Sequence, residues 1–234
     1  VERIGKQLVF LSGLPRAGST LLSSILSENP LIHAEGNSAV CQLMWDMSVS
    51  CETNCSEQLV ANNRFNTQQD LVSQIPDIYY QHVSKPIVID KCRSWTLEPN
   101  MRLIKQYISP NPKVIVLTRH IDEIVQSFIR LGKDNDKVFK SKDLLSPGTE
   151  PIMRSLQGVD WAKKNNAGEF LFVEYSDLVS YTEEIIASIY SFCEWDYFEH
   201  DLSNIVNRSP ENDSVYGLLG MHEVRSSPCF RQNG

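Results

Sequence analysis

Leu8-Val9-Phe10-Leu11-Ser12-Gly13-Leu14-Pro15-Arg16-Ala17-Gly18-Ser19-Thr20-Leu21-Leu22 reads as an apolar strand, a glycine-containing turn and the start of a helix. Four apolar residues in succession suit a strand buried on both faces of a parallel sheet, since a strand with one wet face would alternate. The turn that follows is built to hold an anion, because its backbone N–H groups and the positive end of the next helix point at one place. Gly18 permits close approach, Ser19 and Thr20 add hydroxyl donors, and Arg16 adds a full charge. A Walker A loop would need Lys and then a hydroxyl after its second glycine. Here Ala17 precedes Gly18 and no Lys follows, which disfavours ATP-type phosphoryl transfer.

Apolar runs of strand length recur at Ile87–Ile89, Val114–Leu117 and Phe170–Val173, with a weaker one at Leu31–Ala34. Helical spacing follows Arg119, where Ile121, Ile124, Val125, Phe128 and Ile129 share one face, and recurs at Ile185, Ile186, Ile189, Tyr190 and Cys193. Strands alternating with helices predict an α/β fold: a P-loop-like, doubly wound parallel sheet flanked by helices, with its ligand crevice at the carboxyl ends of the strands. The 234 residues, without internal repeats, suit one domain over 1–234. The polar stretch Lys133–Pro151 predicts a mobile surface loop beside the crevice, in the role of a lid. From Ser203 onward periodicity fades, predicting an irregular tail folded over the ligand.

The strand Val114-Ile115-Val116-Leu117-Thr118 ends in the cation Arg119, and Ser127 lies eight residues on, at the edge of the polar face of the next helix. One element suits a 5′-phosphate and the other a separate phosphate, so a ligand phosphorylated at both ends is expected. Lys91 ends the third strand and faces the same crevice. His120 is expected to begin the helix and to point away from Arg119.

Hydrophobic residues make up 41% and charged residues 22%, an ordinary globular balance. A net charge of −7 argues against broad nucleic-acid binding, although local cations still suit a small polyanion. No apolar run reaches the roughly 18 to 20 residues of a membrane helix. Cys41, Cys51, Cys55, Cys92, Cys193 and Cys229 form neither a zinc pattern nor a disulfide framework, and Cys51 and Cys55 are expected as reduced thiols. With no secretion signal beside the sequons at Asn54, Asn207 and Asn212, a cytoplasmic protein is expected; Val1 leaves a removed leader open. The tryptophans Trp45, Trp95, Trp161 and Trp195 read as core or acceptor-pocket packing.

Pro15-Arg16-Ala17-Gly18-Ser19-Thr20 resembles the 5′-phosphosulfate loop of sulfotransferases that use 3′-phosphoadenosine 5′-phosphosulfate (PAPS). Arg at position 16 is similar to tyrosylprotein sulfotransferases and many bacterial members, where cytosolic ones carry Lys. The resemblance extends to Arg119 and Ser127, which it implies as the 3′-phosphate site, and to Val173-Glu174-Tyr175-Ser176-Asp177-Leu178, which places Tyr175 by the nucleotide. Spanning roughly residues 7 to 200, it implies PAPS as cosubstrate, PAP as product, no metal, and transfer to a hydroxyl or amine acceptor. It also implies Arg16 and Lys91 as the cations against the transferring group. For the proton, His33-Ala34-Glu35-Gly36-Asn37 offers Glu35 first and His33 second. The tyrosylprotein members' basic Glu aligns with Asn37, so Glu35 fits only with a two-residue shift. Cytosolic members carry a His where this chain has Cys92 and Arg93. Arg225, in the region that closes over the nucleotide, is a further candidate contact to the 3′-phosphate.

Two other readings stand beside this one. A P-loop-like kinase or hydrolase would show magnesium-dependent ATP turnover. A non-catalytic PAP- or PAPS-binding module would bind without turnover.

Overall fold

Five segments pair into one sheet in the order β2-β3-β1-β4-β5, every neighbouring pair parallel. They are β1 (Gln7–Gly13), β2 (Ile32–Asn37), β3 (Ile87–Lys91), β4 (Val114–Thr118) and β5 (Phe170–Glu174). Parallel neighbours need long crossover connections, which here carry the helices. These are α1 (Ser19–Leu26), α2 (Val40–Glu52), α3 (Ser56–Ala61), α4 (Thr67–Tyr79), α5 (Glu98–Leu103), α6 (Ile121–Lys133), α7 (Ser141–Leu144), α8 (Met153–Lys164), α9 (Tyr175–Ser180) and α10 (Thr182–Cys193). The computed structural model describes residues 5–147 and 150–224.

Each apolar run is a strand, and the weak run at Leu31–Ala34 is β2, extended to Asn37. β4 is buried at every position, as a strand covered on both faces must be. The stripe after Arg119 buries Ile124, Val125 and Phe128 in α6, and the second stripe becomes the buried face of α10. His120 is the N-cap of α6. The central β1 lies between β3 and β4, so its carboxyl end opens where connections leave in opposite directions, which is where such sheets bind ligands.

Gly13 ends β1 for a steric reason. Its φ is +123°, and a Cβ there would lie 2.1 Å from the Leu117 carbonyl oxygen. That same oxygen accepts the Leu14 N–H at 2.8 Å. The loop is thereby fastened to β4 at its first residue.

β3 ends in two charged residues that strand alternation sends to opposite faces. Asp90 is buried and accepts from Ser38 Oγ at 2.7 Å, Tyr80 Oη at 2.9 Å and Trp95 Nε1 at 2.6 Å. Burial pushes its carboxyl up, against those three hydrogen bonds. This anchor fixes the strand end that presents Lys91.

Trp95 is fully buried, Trp161 packs edge-on against Phe170, and Trp195 packs against Tyr190. Trp45 is not core: it stands 40% exposed on α2. Cys51 and Cys55 are free thiols. The stretch Lys133–Pro151, expected as a mobile surface loop, carries local structure and packing in its described residues. Lys133 closes α6, Phe139 packs edge-on against Phe128, and α7 buries Leu144. Two apolar residues in a polar stretch suffice to anchor it.

Candidate active site

The β1–α1 loop, the start of α6, the end of β3 and the tail from Leu219 to Val224 enclose one cleft of about 850 Å³. Arg16 adopts the left-handed region at φ +58°, a strained state for a side-chain-bearing residue. Gly18, at φ +90°, is the N-cap of α1, and no side chain caps that helix. A Cβ on Gly18 would meet the Tyr175 ring at 2.9 Å, so only glycine lets the loop lie against that ring. Ser19 and Thr20 line the cleft, and the first N–H groups of α1 have no partner inside the helix.

Arg119 is placed beside this loop. Its guanidinium stacks on the Tyr175 ring 4.0 Å from the centroid, and NH1 donates to the Arg16 carbonyl at 2.8 Å. Its Nε donates to Glu123 at 2.9 Å, one turn into α6. Ser127, buried on the same helix, accepts from Arg16 Nε at 3.0 Å. The structure thus brings Arg16, Gly18, Ser19, Thr20, Arg119, Ser127 and Tyr175 together around one space, with Pro15 in its wall. Ala17 is buried beneath the loop and is not in the wall.

Lys91 reaches the same cleft from β3, buried to 4% exposure. Its ammonium donates to Glu211 Oε2 at 3.0 Å, and Glu211 Oε1 accepts the Asn37 N–H at 3.1 Å. Burial costs both charges. It prevails at Lys91 and lowers the ammonium from its usual range, against the pull of Glu211. At Glu211, the less enclosed partner, burial is outweighed by the Lys91 charge and the hydrogen bonds, and the carboxyl sits below the usual carboxylate range. A depressed carboxyl contributes stability above its unfolded value, about pH 4.3, and loses it as pH falls through the lower folded value. Glu211→Gln is therefore expected to flatten the acid-side loss of melting temperature between about pH 5 and pH 3. Thermal melts across that range check this; an unchanged acid limb would show that Glu211 does not carry it.

The tail is pinned over the cleft from several directions. Arg16 donates to the Met221 carbonyl, and Lys137 to the Gly217 carbonyl. Asn135 makes a two-way pair with the Leu219 backbone, at 3.0 and 2.7 Å. The short turn Asp213–Tyr216 sets Asp213 against His222, whose Nδ1 lies 2.6 Å from Asp213 Oδ1. His222 Nε2 lies 3.4 Å from Glu211 Oε2. Burial opposes the charge of Asp213, but the His222 N–H and ring hold its carboxyl below the usual range.

Glu35 and His33 are placed elsewhere. They pair with each other, Nε2 to Oε2 at 3.1 Å, and neither lines the cleft. Glu35 lines a small recess of about 10 Å³ together with Thr20, Lys91 and Glu211. Of the two residues after β3, Arg93 lines the cleft, whereas the Cys92 thiol pairs with Cys41; that hydrogen bond pulls Cys92 down and pushes Cys41 up. Arg225 lies outside the described residues. Glu211, Asp213 and His222 were not singled out from sequence. Their signal was the cluster Glu211-x-Asp213-x-x-Tyr216-Gly217 and Met221-His222, dense in chemistry for a stretch with no periodicity.

The parallel α/β sheet sets the glycine loop after β1 and the basic residue after β4 on one cleft. A profile of the sulfotransferase family matches residues 8–199, and the chain belongs to that family. No curated protein matches the chain. Among solved structures, the sulfotransferase domain of the Synechococcus PCC 7002 olefin synthase is similar at 21% identity and TM-score 0.58, covering 90% of this chain and 80% of that one. The sulfotransferase domain from the curacin biosynthetic pathway gives 18% identity and TM-score 0.53 over 84% and 76%. A sulfotransferase from Alicyclobacillus acidocaldarius gives 11% and 0.54 over 90% and 87%. At these identities the likeness is one of fold. Among the described residues, no helix is long and apolar enough to cross a membrane.

Proposed function

We propose that the protein transfers the sulfuryl group of PAPS to a hydroxyl or amine acceptor. The observation that carries this reading is that both phosphate-handling elements and Lys91 open on one cleft. The start of α1, with Gly18, Ser19 and Thr20, holds the 5′-phosphate through backbone N–H groups and hydroxyls. Arg119 and Ser127 hold the 3′-phosphate, and Tyr175, already stacked on Arg119, lies by the adenosine. Arg16 and Lys91 are the cations positioned to meet negative charge as it builds on the departing phosphate oxygen, the place where fixed charges contribute most to rate. No step in this scheme calls on a metal. Glu35, expected as the base, lines not the cleft but a recess that shares Thr20 and Lys91 with it.

Calorimetric titration with PAP, and separately with ATP and magnesium, tests the reading. Arg119→Ala is expected to weaken PAP binding by about 10- to 100-fold, the worth of a charge-assisted pair of hydrogen bonds. ATP binding is expected to be negligible beside it. Unchanged PAP affinity in Arg119→Ala would sink the two-phosphate assignment, and preferential ATP–magnesium binding would favour a kinase-like function. Tight PAP binding without turnover over a broad acceptor panel would favour a silent binding module.

A further inference from the structure

An acceptor hydroxyl or amine must give up a proton as it attacks, and the group that takes it has to face the cleft near Lys91. We propose, on the sulfuryl-transfer reading above, that His222 is this general base and that Asp213 is its positioning residue. His222 lines the cleft together with Lys91, Arg16 and Arg93, which Glu35 and His33 do not. Asp213 holds it at two points: Oδ1 lies 2.6 Å from ring Nδ1, and Oδ2 accepts the His222 backbone N–H at 3.0 Å. A carboxylate on Nδ1 holds a proton there, so that Nε2 is the nitrogen left to take one once Glu211 has turned aside. The ring edge also packs against Tyr216, at 5.6 Å between centroids.

Nε2 and the Lys91 ammonium share a neighbour. Nε2 lies 3.4 Å from Glu211 Oε2, the same oxygen that accepts from Lys91 Nζ at 3.0 Å. That oxygen marks a point within reach of both the ammonium and the imidazole. The acceptor atom occupies it once the carboxylate turns aside. As the acceptor forms its bond to sulfur, its proton passes to Nε2. The bond from sulfur to the 5′-phosphate oxygen breaks, and its electron pair stays on that oxygen, beside Arg16 and Lys91. The products are the sulfated acceptor, PAP and a protonated His222, which later returns its proton to water. The charged and titratable groups facing His222 are Asp213, Glu211 and Tyr216 of the tail, with Lys91 of β3 behind Glu211. Arg93 and Glu223 stand on the same cleft wall. Arg16, bonded to the carbonyl of Met221, ties the preceding residue to the phosphate loop.

The test measures PAP formation from PAPS by the full chain, with water and with a panel of simple phenols, alcohols and amines as acceptors. It compares wild type, His222→Asn, His222→Gln, Asp213→Asn and Glu35→Gln, with PAP affinity and melting temperature read alongside. Asn keeps a donor near the Nδ1 position, so His222→Asn retains the contact to Asp213 while removing Nε2. The expected result is a loss in kcat of about a hundredfold in His222→Asn. PAP affinity should stay within a few-fold, and the acid limb of the rate–pH profile should disappear. Asp213→Asn should give a smaller loss and a shifted limb. The proposal is overturned if His222→Asn and His222→Gln keep the rate within a few-fold, or if the loss falls on Glu35→Gln instead. It is also overturned if rate and PAP affinity fall together, since His222 would then only hold the tail in place. If the wild type binds PAP yet forms none from PAPS with any acceptor, sulfuryl transfer itself is refuted, and the base with it.

Discussion

Lys91→Met is expected to lower sulfuryl transfer by about a hundred- to a thousandfold, the usual cost of removing one fixed charge from a developing oxyanion. PAP affinity should fall much less than the rate, because Lys91 meets only the phosphate oxygen that parts from sulfur, while the β1–α1 loop, Arg119 and Ser127 still hold the two phosphates. The position supports so large an effect: the ammonium is almost fully buried at a strand end, where water screens it poorly. The substitution has a second consequence, since it strands the Glu211 carboxylate in a largely buried place with its cation gone. The double variant Lys91→Met/Glu211→Gln separates the two. It should regain melting temperature relative to Lys91→Met while the rate stays low. Steady-state rates with saturating PAPS and calorimetry with PAP give the readings, and a single variant that keeps its rate would remove Lys91 from the chemistry.

Gly13→Ala is expected to destabilise the protein by about 4 kcal/mol, at the upper end for a point substitution. Two costs act together: a φ of +123° that L-residues rarely adopt, and a Cβ placed 2.1 Å from a backbone oxygen of β4. Neither side can yield cheaply, because that oxygen belongs to a central strand and also fastens the loop through Leu14. For a chain of this size such a loss corresponds to a fall in melting temperature of about 10 °C. Thermal unfolding followed by circular dichroism checks it. A drop of only a degree or two would mean that β1 and β4 can separate at their carboxyl ends without cost.

The strands were legible because unbroken apolar runs leave few alternatives: β1, β3, β4 and β5 need burial on both faces, and a parallel sheet supplies it. The helices after Arg119 and before Cys193 were legible from period alone. The stretch from Lys133 to Pro151 was not, because its order rests on Phe139 and Leu144, two apolar residues too widely spaced to show a period. In the cleft, the glycine loop, Arg119 and Lys91 could be found in sequence because each stands at the end of a strand, a position that the pattern itself marks. Glu211, Asp213 and His222 stand in a tail with no pattern, and nothing local says which strand end they reach.

The sequence alone therefore determined the sheet, the glycine loop after β1 and the cations at the ends of β3 and β4, since these follow from local periodicity and from where glycine and charge interrupt it. Tertiary structure decided what meets those cations. Lys91 is joined by Glu211 across 120 residues of chain, and Arg16 by the Met221 carbonyl across 205. Glu35, close to the loop in sequence, is left facing His33 outside the cleft. The physical reason is that hydrogen bonds and ion pairs between distant segments depend on how the chain closes in space, and spacing along the chain carries no record of that closure.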